Sequence, residues 1–99
     1  MFIVKIHQGP HGQILVVSDK EIIDKKFEEG KLQLDLTKDF YKGKEMTEEE
    51  VKEKVKEFYI LHLTGEKTIQ LFEKLELVEN EKVLVIKGVP HAEVYVAEN

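Results

Sequence analysis

Val83-Leu84-Val85-Ile86 places four β-favouring apolar residues in succession, and Gly88 and Pro90 break the run within four residues of its end. A short apolar run bounded in this way predicts a buried strand that stops at a turn. His91 then enters a new alternation, with Ala92, Val94 and Val96 on one side and Glu93 and Tyr95 on the other. The chain is therefore expected to end in two strands, with a titratable ring held at their junction. The residues upstream must supply the sheet those strands join and the helices that cover it.

They carry the required patterns. Phe2 to His7 alternates apolar and polar, Gln8-Gly9-Pro10-His11-Gly12 has turn composition, and Gln13 to Val17 is apolar, which predicts a hairpin with a five-residue loop. Ser18 and Glu21 have capping-box spacing, which predicts a short helical turn over 19–24. Leu32, Leu34 and Leu36 alternate with Lys31, Gln33 and Asp35; with Lys26-Phe27 across Glu28-Glu29-Gly30 they predict a second hairpin with one wet face. Thr47 and Glu50 form another capping box, opening a helix with Val51, Val55, Phe58 and His62 on one stripe and a solvated lysine and glutamate face opposite. Gly65 marks a break, and Thr64 is the expected N-cap of a second helix that buries Ile69, Leu71, Phe72 and Leu75. Two hairpins, two helices and two strands predict an α+β fold in one domain over residues 1–99. Its expected form is a two-layer sandwich, with a mostly antiparallel sheet of about five to six strands and both helices on one face.

Charge and composition narrow the function. All fifteen basic residues are lysines, and the net charge is −5. Arginine is the bidentate reader of phosphate and guanine edges, so an acidic, arginine-free chain is not expected to bind bare nucleic acid tightly. No apolar run approaches the ~20 residues of a membrane span, and no basic-then-apolar leader opens the sequence, so a cytoplasmic protein without a membrane role is expected. Without cysteine there is no disulfide, thiolate nucleophile or thiolate zinc site. Lysine and glutamate abundance with few amides points to a thermophilic source.

The candidate site residues are Asp19, Lys20, Tyr41, Gly65, Glu66, Gly88, Pro90 and His91. His91 has two readings: a structural ring bonded to backbone near Pro90, or a ligand-contacting or acid/base histidine. Asp19, Lys20 and Glu21 open the first helical turn, where carboxylates are favoured by the helix dipole. Gly65 and Glu66 open a helix whose amides suit an anion, although Glu66 would repel one. Gly88 has its own bland reading, a backbone angle other residues avoid. Phe40 and Tyr41 are either core residues or an aromatic contact for a partner, including stacking on single-stranded RNA. His7, His11, His62 and His91 show no recognised ligand spacing, so neither a metal nor another cofactor is expected. No serine or threonine stands beside a base, and no glycine loop suits a phosphate.

Four motifs occur in a familiar order: Ser18-Asp19-Lys20-Glu21-Ile22-Ile23, Phe40-Tyr41-Lys42-Gly43, Leu63-Thr64-Gly65-Glu66, and Gly88-Val89-Pro90-His91-Ala92. In them the chain resembles an archaeal family catalogued as domain-of-unknown-function family 424, over essentially its whole length. It departs from that pattern at His62, where the family usually carries asparagine, and at Asp24, where it often carries glycine. The resemblance implies a small cytosolic archaeal protein with a two-layer α/β sandwich and no assigned activity. The expected function is a non-enzymatic binding module in a larger assembly, with a protein or ribonucleoprotein partner. Its setting, translation or RNA metabolism, comes from the resemblance and not from any residue. The alternative is a small enzyme on a polar metabolite, with His91 as general acid/base.

The final expectation concerns how the motifs meet. If the strand ending at Val17 and the strand ending at Lys87 are parallel neighbours, Asp19 or Lys20 lies beside His91 at one sheet edge.

Overall fold

The computed structural model describes residues 1–96. Its first hairpin joins β1 (Phe2–Gly9) to β2 (Gly12–Asp19), with pairing from Phe2↔Asp19 to Gly9↔Gly12. The loop is Pro10-His11 alone, shorter than the five residues expected, because the glycines on either side still pair. Leu15, Val16 and Val17 are fully buried, so β2 is covered on both faces, as its unbroken apolar run requires.

Six strands form one sheet in the order β5-β1-β2-β6-β8-β7, where β5 is Lys44–Met46, β6 Ile60–Thr64, β7 Leu84–Ile86 and β8 Val89–Tyr95. Every pairing is antiparallel except β2 with β6. A separate hairpin, β3 (Lys26–Glu29) with β4 (Leu32–Asp35), follows its predicted position closely. The fold is thus α+β, with a mostly antiparallel sheet.

Helix α1 (Glu48–Val55) starts at the predicted capping box: the Thr47 N–H donates to Glu50 Oε1 at 2.9 Å, and the Glu50 N–H donates to Thr47 Oγ1 at 3.2 Å. It ends seven residues before His62. From Tyr59 the pattern switches to a period of two, with Leu61 and Leu63 buried, so 60–64 is a strand and His62 leaves the helix stripe. Helix α2 (Glu66–Lys74) follows, capped at Gly65 rather than Thr64, and buries Ile69, Leu71 and Phe72; Leu75 is partly buried.

Phe2, Val4, Leu15, Val17, Leu61, Leu63 and Ala92 point to the core they share with Val51, Val55, Ile69, Leu71 and Phe72 of the two helices. On the opposite face Val16 and Ile86 pack with Leu34 of the second hairpin, with Leu36 just after it and with Tyr41. Burying Phe72 alone is worth about 2–3 kcal/mol.

Two further expectations change. The run at 83–86 is not a buried strand: β7 lies at the sheet edge, with Leu84 and Val85 about half exposed and only Ile86 buried. Ser18 and Glu21 do not make a capping box; the segment is a single 3-10 turn, Lys20–Ile22, without a side-chain cap. Ser18 extends β2 instead, with its hydroxyl buried and unpaired.

Candidate functional site

At one end of the sheet, β2 finishes at Asp19, β6 finishes at Thr64, and β8 begins at Val89. The register places Ser18 beside Thr64, and Thr64 beside His91. Side chains alternate from this row onward, so Asp19 points to the helix side and His91 to the hairpin side. Two different clefts result.

On the helix side the Asp19 carboxylate is buried against the start of α2. Its Oδ1 accepts from the Thr68 N–H at 2.8 Å and the Thr68 hydroxyl at 2.7 Å, and its Oδ2 accepts from the Lys67 N–H at 3.1 Å. These are the second and third amides of the helix, the ones an N-cap side chain usually takes. Gly65 has no side chain to offer, so Asp19 caps the helix from another strand. The Gly65 N–H in turn donates to the Pro90 carbonyl at 2.8 Å, tying the start of β8 to the same corner. A shallow cleft of about 410 Å³ at this corner is lined by Asp19, Gly65, Glu66, Lys67, Gly88 and Pro90, among others. Lys67 pairs with Glu21 at 2.9 Å across it, and each holds the other charged: the contact raises the Lys67 pKa and lowers that of Glu21.

Gly88 has a simpler role. The β7–β8 turn is Lys87-Gly88, with φ of 53° and 81°, a two-residue hairpin turn that needs a left-handed backbone at both positions. Nothing lies within 4 Å of a Cβ placed on Gly88, so the backbone angle is its whole requirement.

The hairpin side holds the second cleft, about 540 Å³, between the sheet and the β3–β4 hairpin. His62, His91 and Glu93 stand on its floor, Tyr41 at its wall, and Leu32 and Leu84 on its rim. His62 and Glu93 are directly opposed across β6 and β8, and His91 lies two residues before Glu93 on the same strand face. His62 Nε2 is 3.1 Å from Glu93 Oε1, and His91 Nδ1 is 2.8 Å from the fully buried Thr64 hydroxyl. The two imidazoles meet edge to face at 4.5 Å. Rings continue outward through Phe40, which contacts His62 at 4.9 Å and His7 at 4.8 Å.

Electrostatics follow from burial. Desolvation, reinforced by the neighbouring His62, pushes His91 down to about 4. It also lowers His62, outweighing the pull of Glu93, so the His62–Glu93 contact is a hydrogen bond from a neutral ring and not an ion pair. Tyr41 is raised by burial, with Glu93 and Asp35 adding to it, and keeps its phenol proton. The cleft floor at neutral pH is therefore two uncharged imidazoles, one phenol and one carboxylate. Among the described residues, the donor atoms of His62, His91 and Glu93 form a group within 4.8 Å of one another.

The structure thus divides the candidates. Asp19, Gly65, Glu66, Gly88 and Pro90 line one cleft, and Tyr41 and His91 line the other. Lys20 lines neither and pairs with Glu45 at 3.1 Å on the surface. The condition for an Asp19–His91 pair is not met: β7 lies three places from β2, whose parallel neighbour is β6, and the two side chains leave opposite faces. Tyr41 is buried and Phe40 half-buried, and both are engaged with other rings. Glu93 was not singled out in the sequence, and His62 was weighed there only as one of four histidines without ligand spacing and as part of a helix stripe. The alternation His91-Ala92-Glu93 signalled that His91 and Glu93 share a face, but placing His62 on a helix hid the third member.

The model of the family described as "Protein of unknown function (DUF424)" matches residues 6–96. The chain belongs to this family. The DUF424 chain is also similar to a solved structure, "Crystal structure of an uncharacterized conserved protein from Methanopyrus kandleri", with a TM-score of 0.76 over 99% of this chain and 95% of that one. The two are 19% identical, so the likeness establishes the fold alone. No curated protein matches the DUF424 chain. No described helix is long and apolar enough to cross a membrane.

Proposed function

We propose that this DUF424 chain is a non-enzymatic binding module whose contact surface is the cleft between the sheet and the β3–β4 hairpin. The observation that carries this reading is the character of the cleft rim. Leu32 and Leu84 are 44% and 46% exposed on either side of a floor that carries two uncharged rings and the Glu93 side chain. Apolar side chains left open around polar hydrogen-bonding groups are typical of a surface covered by another protein. The edge position of β7 adds unpaired backbone groups beside Leu84, suited to an extended segment. With a net charge of −5 and no arginine, the partner expected is a basic, apolar-bearing segment of a protein. Translation or RNA metabolism as the setting, in an archaeal cytoplasm, would follow if that protein belongs to a ribonucleoprotein.

The enzymatic alternative has one favourable feature, His91 in a cleft with Glu93 close by. Against it, a ring held neutral down to about 4 and tied through Nδ1 to Thr64 is poorly matched to proton transfer near pH 7. The test is capture from native lysate at physiological salt with the intact chain and with Leu84→Glu. A partner retained by the first and lost by the second supports the module. No partner with either chain, or equal recovery with both, refutes it.

A further inference from the structure

The floor of the hairpin-side cleft carries a second, separate implication. His62, His91 and Glu93 each offer one donor atom, and these atoms all lie within 4.8 Å of one another. The arrangement is built by strand geometry. Residues two apart on β8 project from one face roughly 6.6 Å apart, and on β6 His62 stands directly opposite Glu93 and diagonal to His91. We propose that His62, His91 and Glu93 bind one divalent transition-metal ion, of the class of zinc or cobalt(II), with its fourth position open to the cleft.

Three considerations support the assignment. Two imidazoles and a carboxylate are the donor set of open three-ligand zinc sites, which leave a fourth position for an exogenous ligand. Adjacent ligands on a tetrahedral ion of this size lie about 3.3–3.5 Å apart, and His62 Nε2 and Glu93 Oε1 already stand 3.1 Å apart. Glu93 is 62% exposed and free to rotate, so this ligand adjusts without disturbing the core. The support behind the ligands is also in place. The Thr64 hydroxyl, 2.8 Å from His91 Nδ1, can accept from an Nδ1–H, which leaves the Nε2 lone pair for a metal. Thr64 is fully buried, which fixes the ring plane.

His62 is less well supported. Its Nδ1 is buried with no hydrogen-bond partner, so ligation through Nε2 leaves the Nδ1 proton unpaired. A missing outer hydrogen bond weakens metal affinity roughly 10–100-fold. This inference does not depend on a protein partner.

The intact, metal-stripped chain is titrated with cobalt(II) and, separately, with zinc. The site predicts one ion per chain, a visible ligand-field band of four-coordinate cobalt, and displacement of cobalt by zinc. In proton NMR the ring signals of His62 and His91 move on zinc addition, while those of His7 and His11 do not; this readout needs no variant. Glu93→Gln, at an exposed position, is expected to bind roughly tenfold or more weakly with an unchanged circular dichroism spectrum, and His91→Ala to lose the band. The proposal is overturned by a folded chain that shows no saturable uptake at millimolar metal. It is equally overturned by binding that survives Glu93→Gln unchanged, or by shifts confined to His7 and His11. Capture of a partner in the presence of chelator tests the binding module alone, so the two claims fail separately.

Discussion

Gly65 and Asp19 occupy one another's space: a Cβ on Gly65 would stand 2.3 Å from the Asp19 carboxylate carbon. Gly65 also has φ of 111°, outside the range other residues adopt without strain. The glycine therefore lets a carboxylate from β2 reach the Lys67 and Thr68 amides of α2, 48 and 49 residues further along the chain. Gly65→Ala combines a steric clash with backbone strain and is expected to cost about 3 kcal/mol or more, measured by denaturant unfolding. A loss under about 1 kcal/mol would mean that the Asp19 cap yields easily and does not hold the corner.

Asp19→Ala removes the same cap from the other side. Three hydrogen bonds to a buried carboxylate disappear, leaving two helix amides without a protein acceptor. The expected cost is about 2–3 kcal/mol, with amide exchange faster in the first turn of α2 than in α1. Uniform exchange across both helices would contradict a local capping role.

Most of the fold was legible because each element carries a local signal. Thr47 and Glu50 marked the start of α1, the leucine alternation marked β3–β4, and the glycine beside Lys87 marked the final turn. The error with the largest consequence comes from an ambiguity of period. Val51, Val55, Phe58 and His62 fit a helical stripe, while Leu61 and Leu63 fit a strand, and tertiary pairing with β2 and β8 decided for the strand. Losing β6 hid the parallel neighbour of β2 and the partner of His91. The exposure of Leu84 and Val85 was equally hidden, since an apolar run does not reveal whether it lies at the centre or the edge of a sheet.

The His91 environment predicts a specific acid response in metal-free protein kept in chelator. Its ring titrates near 6.5 when unfolded and about 4 when folded. Stability from the neutral ring is therefore complete above pH 6.5 and is lost as pH falls towards about 4, because only the unfolded chain takes up the proton in that window. The loss is at most about 3 kcal/mol, and nearer 2 for a half-buried ring. The difference in unfolding free energy between the intact chain and His91→Gln should shrink across that window. A difference independent of pH would contradict the burial of a neutral imidazole.

Thr64→Val keeps the shape of the strand and removes the hydroxyl bonded to His91 Nδ1. It is expected to cost about 1–2 kcal/mol and to change the nitrogen chemical shifts of His91, with those of His11 unchanged. Unaltered His91 shifts would show that Thr64 does not set the tautomer.

The contact role of the hairpin-side cleft is tested most directly by site-specific photocrosslinking in native lysate. A photoreactive residue replaces Leu84 on the cleft rim in one chain, and Glu53 on the exposed face of α1 in another. The cleft reading predicts one discrete protein adduct from position 84, absent from position 53 and suppressed by Leu32→Glu. Equal labelling at both positions, or a position-84 adduct indifferent to Leu32→Glu, would contradict it.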